Sequence, residues 1–460
     1  MQNRNEAESL NHKRIAVVGC GNLGLPLCAV LAEAGYDVQG IDINDVLVNR
    51  LNNSIFETVE PGLSEMLERN TARLEFRNFV ERTTFPDCTF VIVPSPSDPD
   101  GSFSNKFVLQ AVEDYCEKFL ESDIESAILV IVSTVMPGTM EGEIIPLIRS
   151  KLASRADQLK LFYSPEFIAL GSVIRNLQYP DVVLIGAESR NSGRALEDVL
   201  TKAVKNTPEF ICLDFVNAEI AKISVNAFVT MKISFANQLS EICQLLPLGD
   251  ADDVLNAIGK DSRIGNSYLQ SAPAFGGPCF PRDNRAFSKM ASNLGVDASL
   301  SKGTDQINLR QADRLIKQFR AVGPTWKSAL VLGISYKPGT RVVEESPSLK
   351  FLEYLALEPS VQKVSLFDPL FVDLNAQNAL NIQKKVAILD EKDLQIAINE
   401  VDVIYLFNNS PEFSELPQHV NKEDTVLIDL WGSWKKYESQ FKGRYYRLGK
   451  SPKDTRSLDK

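Results

Sequence analysis

Histidine is almost absent from this 460-residue chain: His12 and His419 are the only two, each near an end and in a polar setting. Their scarcity argues against a histidine-centred mechanism and against a histidine-rich metal site, so no metal is expected. Paired cysteines are missing as well. The seven that occur are spread singly, odd in number and without a CxxC, which reads as reduced thiols rather than a disulfide framework. No apolar run approaches a membrane span, none being longer than Ala127 to Val132, and the opening MQNRNEAESLNHKR has no secretory core. These absences place the chain in the cytoplasm, away from any membrane. Positive charge is not in surplus either. With 49 Lys and Arg against 60 Asp and Glu the net charge is −11, the wrong sign for holding phosphate backbones, so nucleic acid is not an expected partner. There is no low-complexity tract and no repeat of solenoid period.

What is present is a globular composition, 44% hydrophobic and 24% charged, over a length that asks for about three domains. Residues 14–18 (RIAVV) form a short apolar run, followed by a glycine cluster, a helix-like stretch from Leu25 to Ala34 and a second run at 37–41. Similar runs recur at 89–93, 127–132 and 182–185, separated by helix-length amphipathic stretches. This alternation predicts a parallel sheet covered by helices, and a first α/β domain over 1–210. From Asn217 to Leu246 thirty residues pass without Gly or Pro, and the spacing predicts one long helix. Lys222, Asn226, Thr230, Ser234, Asn237 and Glu241 follow steps of three or four and form a polar stripe on it. A helical domain over 211–322 follows. Runs at 328–334, 363–367, 402–407 and 425–430 then mark a second α/β domain over 323–460, ending in a polar tail.

Several segments carry chemistry. Gly19, Gly21 and Gly24 form GxGxxG after a strand and before a helix, so that Gly19, Gly21, Asn22, Leu23 and Gly24 bring backbone against a pyrophosphate at a helix N-terminus. Asp42 closes the next strand, where a carboxylate accepts from ribose hydroxyls and repels a 2′-phosphate; the expected cofactor is therefore NAD. Ser95, Ser133 and Thr134 stand at later strand ends, where small hydroxyl residues suit a cofactor's edge and ordinary turn chemistry fits equally well. Cys279 lies in FGGPCFPRD (275–283), whose glycines permit close approach and whose Arg282 and Asp283 are placed to polarise a thiol. Lys222 and Asn226, one helical turn apart, can converge on a single oxygen, although a solvated helix face explains them as well. Glu166, in YSPEF after a strand-like run, is a candidate proton acceptor.

Taken together, GCGNLGLP, EPGL (60–63), VPSPSDPDGS (93–102), STVMPGT (133–139), SPEF (164–167), AEIAKISVNAFVTMKISFANQL (218–239), DSRIG (261–265), FGGPCFPRD and LGISYKPGT (332–340) make the chain resemble the UDP-glucose/GDP-mannose dehydrogenase family from about residue 13 to about 434. The resemblance implies an α/β protein with an N-terminal Rossmann NAD-binding domain, a helical central region that makes a homodimer, and a C-terminal Rossmann-like domain for a nucleotide-sugar substrate. Carried over by motif, it puts the nucleophile on Cys279, with Lys222 and Asn226 beside it. The water-activating acid falls on Glu166, and the threonine and aspartate near the reacting centre on Thr134 and Asp283. Arg263 becomes a contact to the partner subunit's substrate, and Phe167, Tyr268, Phe275, Gly276 and Lys337 line the substrate site. The implied reaction is a four-electron oxidation of a sugar's primary alcohol through a thiohemiacetal and a thioester, with UDP-glucose, a UDP-N-acetylhexosamine or GDP-mannose as substrate.

The chain also departs from the family pattern. Leu170 replaces a second acid four residues after Glu166, Glu344 stands where an arginine is expected while Arg341 comes early, and Asn408-Asn409-Ser410 replaces Thr-Glu-Trp. Two other readings stay open from sequence: a two-electron β-hydroxyacid-type dehydrogenase that needs no cysteine, and a catalytically idle NAD or nucleotide-sugar sensor.

Overall fold

The computed structural model describes residues 14–56, 58–79, 84–189, 192–322, 326–371 and 386–451. His12 and the tail beyond Ser451 lie outside the described residues. Two compact units, Met1–Ser224 and Val225–Lys460, divide the chain within its longest helix.

In the first unit the apolar runs become strands β1 (Arg14–Val18), β2 (Asp37–Ile41), β3 (Leu74–Arg77), β4 (Cys88–Val91), β5 (Ala127–Ile131), β6 (Leu159–Tyr163), β7 (Val182–Ala187) and β8 (Glu209–Asp214). They form one sheet in the order β3-β2-β1-β4-β5-β6-β7-β8. Alternate residues feed opposite faces. Ile15, Val17, Ile128 and Val130 enter one apolar cluster, Ala16, Leu129 and Ile131 the other. A strand buried on both sides must be apolar throughout, which is why β5 reads AILVI, each such large side chain stabilising by roughly 1.5–3 kcal/mol. The all-parallel expectation needs one correction: β7 meets β6 antiparallel, through Tyr163 and Gly186, and β8 follows β7 in parallel. Apolar content is the same in either direction, so the composition of the run at 182–185 held no sign of the reversal.

The second unit repeats the plan. Strands β9 (Ser328–Leu332), β10 (Lys363–Phe367), β11 (Val386–Ile388), β12 (Val403–Leu406), β13 (Val426–Asp429) and β14 (Arg444–Arg447) lie in the order β11-β10-β9-β12-β13-β14, with every pairing parallel. Its first five strands match the first sheet's pattern β3-β2-β1-β4-β5, so both sheets reverse strand order beside their first strand, where open α/β sheets bind ligands.

The predicted long helix runs over Phe215–Leu245. Its polar stripe faces inward: Thr230, Ser234 and Asn237 are fully or nearly fully buried, bonded respectively to the helix's own carbonyls, to Thr304 O and from Ala272 N. The solvated face weighed for Lys222 and Asn226 does not describe them either, Lys222 being buried and Asn226 half-buried. The outward face is apolar instead, with Val225, Phe228, Phe235, Ile242 and Leu245 exposed, Phe228 by 60%. Among the described residues no helix is long and apolar enough to cross a membrane.

Candidate active site

The glycine loop sits between β1 and the helix Gly24–Glu33, and each glycine has its own reason. Gly19 has φ +98°, and a Cβ there would lie 2.4 Å from Ile92 O; one on Gly24 would lie 1.7 Å from Gly19 O. Both are therefore needed to fold the turn. A Cβ on Gly21 would meet nothing within 4 Å, which leaves open space above the helix N-terminus for a phosphate. Asp42 locks the loop: Oδ2 accepts from Cys20 N at 2.8 Å and Oδ1 from Asn44 N at 2.9 Å, with further lone pairs left for ribose hydroxyls. Asn22 is exposed and Leu23 half-buried. Ser95 and Ser133 are buried. The Ser133 hydroxyl accepts from Val93 N at 2.9 Å and donates to Val93 O at 2.8 Å, so it ties two strand ends together. Thr134, next in the chain, is half-buried.

Glu166 and Phe167 follow β6 and meet the first turns of the long helix. Lys222 is nearly buried; its Nζ donates to the backbone oxygen of Glu166 at 2.7 Å and stands 4.9 Å from the centre of the Phe167 ring. Burial pushes the Glu166 carboxyl up to about 7, with the Lys222 charge opposing. A carboxyl at that value changes protonation near neutral pH, as a general base must. Leu170, where the family pattern has an acid, packs against the apolar cluster of the first sheet.

In the second unit, Cys279 is exposed and occupies the N-cap of the helix Phe280–Asn293, so a thiolate there faces the positive end of the helix. One turn on, Asp283 is fully buried. Its Oδ2 accepts from Asn226 Nδ2 at 2.6 Å, and its Oδ1 accepts from Arg282 Nε at 2.9 Å. Arg282 is thus turned to its neighbouring aspartate.

The loop before Cys279 is held from three sides. Asn308 bonds both backbone groups of Phe275, at 2.8 and 2.9 Å. Gly277 N donates to Glu344 O at 2.9 Å, and a Cβ on Gly276 would lie 2.4 Å from Glu345 O. Gly277 has φ +82° and faces the Tyr336 ring, which a Cβ would reach at 2.6 Å. Burial raises the Tyr336 phenol, with Cys279 contributing. Phe275 and Tyr268 both set their rings edge-on to Phe280, and Lys337 Nζ lies 5.7 Å from the Tyr336 ring centre. Arg263 stands apart: its side chain is 86% exposed and paired with Asp261 at 2.6 Å. Sequence reasoning missed Asn308 and Tyr336. Tyr336 had a signal, being an aromatic directly before Lys337 in a recognised motif, whereas an asparagine late in a helix carries none.

Three family models match the chain in series. They describe the UDP-glucose/GDP-mannose dehydrogenase family's NAD-binding domain over residues 13–204, its central domain over 216–310 and its UDP-binding domain over 330–436. A UDP-glucose 6-dehydrogenase of Rickettsia felis is 29% identical over 408 residues, covering 87% of this chain and 88% of that one. Another, of Pseudomonas aeruginosa, is 32% identical over 354 residues, covering 74% and 76%. The solved structure of a UDP-glucose dehydrogenase from the archaeon Pyrobaculum islandicum superposes with a TM-score of 0.83 at 26% identity, covering 96% of this chain and 98% of that one.

Proposed function

Because the chain belongs to the UDP-glucose/GDP-mannose dehydrogenase family, whose members use NAD to oxidise nucleotide sugars to uronates, we propose that its own substrate is UDP-glucose and that Cys279 is its nucleophile. The names of the relatives and the UDP-binding description of the third matched segment support the substrate. The observation that carries the nucleophile is an exposed Cys279 at a helix N-cap, in a loop that leaves its glycines no freedom to be anything else. The three matched segments also support a division of labour over 1–210, 211–322 and 323–460.

NAD, when bound, would accept one hydride at each of the two oxidations, so two NAD are used in turn for each sugar. The open space at Gly21, the helix N-terminus and Asp42 fit its pyrophosphate and ribose, and Ser95 and Thr134 border the same edge. Among the chain's own groups, Asp283, helped by Lys222 or a water, takes the hydroxyl proton. Cys279 Sγ adds to the aldehyde carbon, and the carbonyl electron pair becomes an oxyanion for which Lys222 and Asn226 are the donors. Loss of the second hydride leaves a thioester on Cys279. A water deprotonated by Glu166 attacks it, the carbon–sulfur bond breaks, and the carboxylate and the thiolate are released. Phe167, Tyr268, Phe275, Gly276 and Lys337 are assigned to holding the nucleotide sugar.

The exposed stripe of Val225, Phe228, Phe235, Ile242 and Leu245 supports a homodimer through the long helix, with Arg263 reaching the partner's substrate. The test is a panel of UDP- and GDP-sugars assayed for NADH with purified protein. Two NADH per UDP-glucose consumed is the expected result; one NADH with free aldehyde would support the two-electron reading, and binding without turnover the sensor.

A further inference from the structure

A second carboxylate beside the long helix has no place in the chemistry above. Glu219 lies three residues before Lys222, and its side chain is fully buried. Its Oε2 accepts from Gly138 N at 2.6 Å and its Oε1 from Met140 N at 2.8 Å. These amides open the helical run Met140–Ile144 and Ile145–Leu152, whose first N–H groups have no partner within the helix. Gly138 and Met140 follow Thr134 by four and six residues in one short loop. One carboxylate therefore ties the loop that carries Thr134 to the helix that carries Lys222. Burial, with Glu141 nearby, pushes the carboxyl up to about 7 while the backbone amides of Met140, Gly138 and Thr139 pull it down, so the group is held at a cost that a neutral residue would avoid. A glutamine of the same shape offers one oxygen, and its NH₂ group would face the other amide.

We infer that Glu219 is a positioning residue for the oxidation, fixing the Thr134 loop against the Lys222 turn by accepting both Gly138 N and Met140 N. The inference rests on the reading that Thr134 and Lys222 act in the reaction. It is distinct from a mere cap, because a cap contributes stability alone, whereas a misplaced reacting geometry lowers turnover without lowering affinity.

The experiment compares Glu219→Gln and Glu219→Asp with Ser234→Ala: Ser234 lies about four turns further along the same helix, and its replacement loses a buried bond to Thr304 O of the helix Ser299–Leu309. Calorimetric NAD binding, KM for both substrates, kcat and Tm are measured on the full-length enzyme. The expected result is a kcat lowered roughly 10- to 100-fold in the glutamine variant, with NAD affinity and both KM values within threefold of wild type. Ser234→Ala should lose Tm and keep kcat. The aspartate variant retains both oxygens on a shorter arm and gives the same split if the glutamine variant does not fold. Equal kcat in Glu219→Gln and Ser234→Ala would overturn the inference, as would NAD affinity and kcat falling together. Lys222→Ala and Thr134→Ala are run alongside. Full activity in both would remove what Glu219 is held to position and would overturn the underlying reading as well, whereas their inactivity beside a normal Glu219→Gln overturns the positioning role alone.

Discussion

The side-chain amide of Asn226 donates to Asp283 at 2.6 Å, while Arg282 takes the other oxygen of the same buried carboxylate. Asp283 therefore fixes which way Asn226 presents its amide, and the two form one unit. Asp283→Asn would leave Arg282 without its counter-charge. The expected cost is about 1–3 kcal/mol in stability, read as a lower Tm, with kcat falling at least about 10²-fold in an NADH assay.

Cys279→Ala should leave NAD binding within twofold of wild type, since the thiol plays no part in the glycine loop around Gly19. Steady-state formation of the uronate should fall by at least about 10³-fold. Calorimetry and NADH absorbance separate the two effects. Retention of full turnover would remove the thiohemiacetal route.

The values of about 7 for Glu166 and Glu219 set a pH dependence whose sign can be worked out. Unfolded, each carboxyl ionises near 4.5, so between about 4.5 and 7 the folded chain holds protons that the unfolded chain has released. Stability from these groups is greatest at the acid end of that window and declines as pH rises through about 7. Glu166→Gln should flatten part of this slope in denaturant titrations. Activity moves the other way: a base must be ionised, so hydrolysis of the thioester should speed up towards pH 7 and level off above it. Glu166→Gln should abolish that limb.

Gly277→Ala introduces a side chain at φ +82° against the Tyr336 ring. A strained backbone costs roughly 1–3 kcal/mol, and the ring must move as well. Lower Tm and reduced turnover are expected, with NAD affinity intact.

If Arg263 works in the partner's site, Cys279→Ala and Arg263→Ala subunits should complement each other. Half of a randomly reassorted mixture is heterodimer with one complete site, so about a quarter of wild-type activity should return on mixing two inactive proteins. Phe228→Asp should give monomers by sedimentation and prevent the rescue.

Much of this was legible in the sequence because the relevant signals are local. The glycine loop, Asp42 and the uninterrupted helix rest on spacing over a short stretch of chain, and their local structure is as expected: a turn between β1 and its helix, Asp42 just after β2, and one helix over Phe215–Leu245. What escaped depended on neighbours far along the chain. The strands LEFR at 74–77 and RYYR at 444–447 carry charge because β3 and β14 are the outermost strands of their sheets, so they lack the apolar run of a central strand. The polar stripe was legible, but not its direction, since Ser234 and Asn237 find their partners at Thr304 and Ala272. Glu219 looked like any glutamate in a helix because its partners lie some eighty residues earlier.

The outward apolar face of the long helix also bears on how the chain comes to be made. From the moment that helix forms until something covers it, Phe228, Phe235 and Ile242 are available to any neighbouring unfolded chain. Refolding yield is then a competition between productive pairing and aggregation. Dilution does not simply favour the native state here, because it slows both, and the best recovery should come at an intermediate protein concentration.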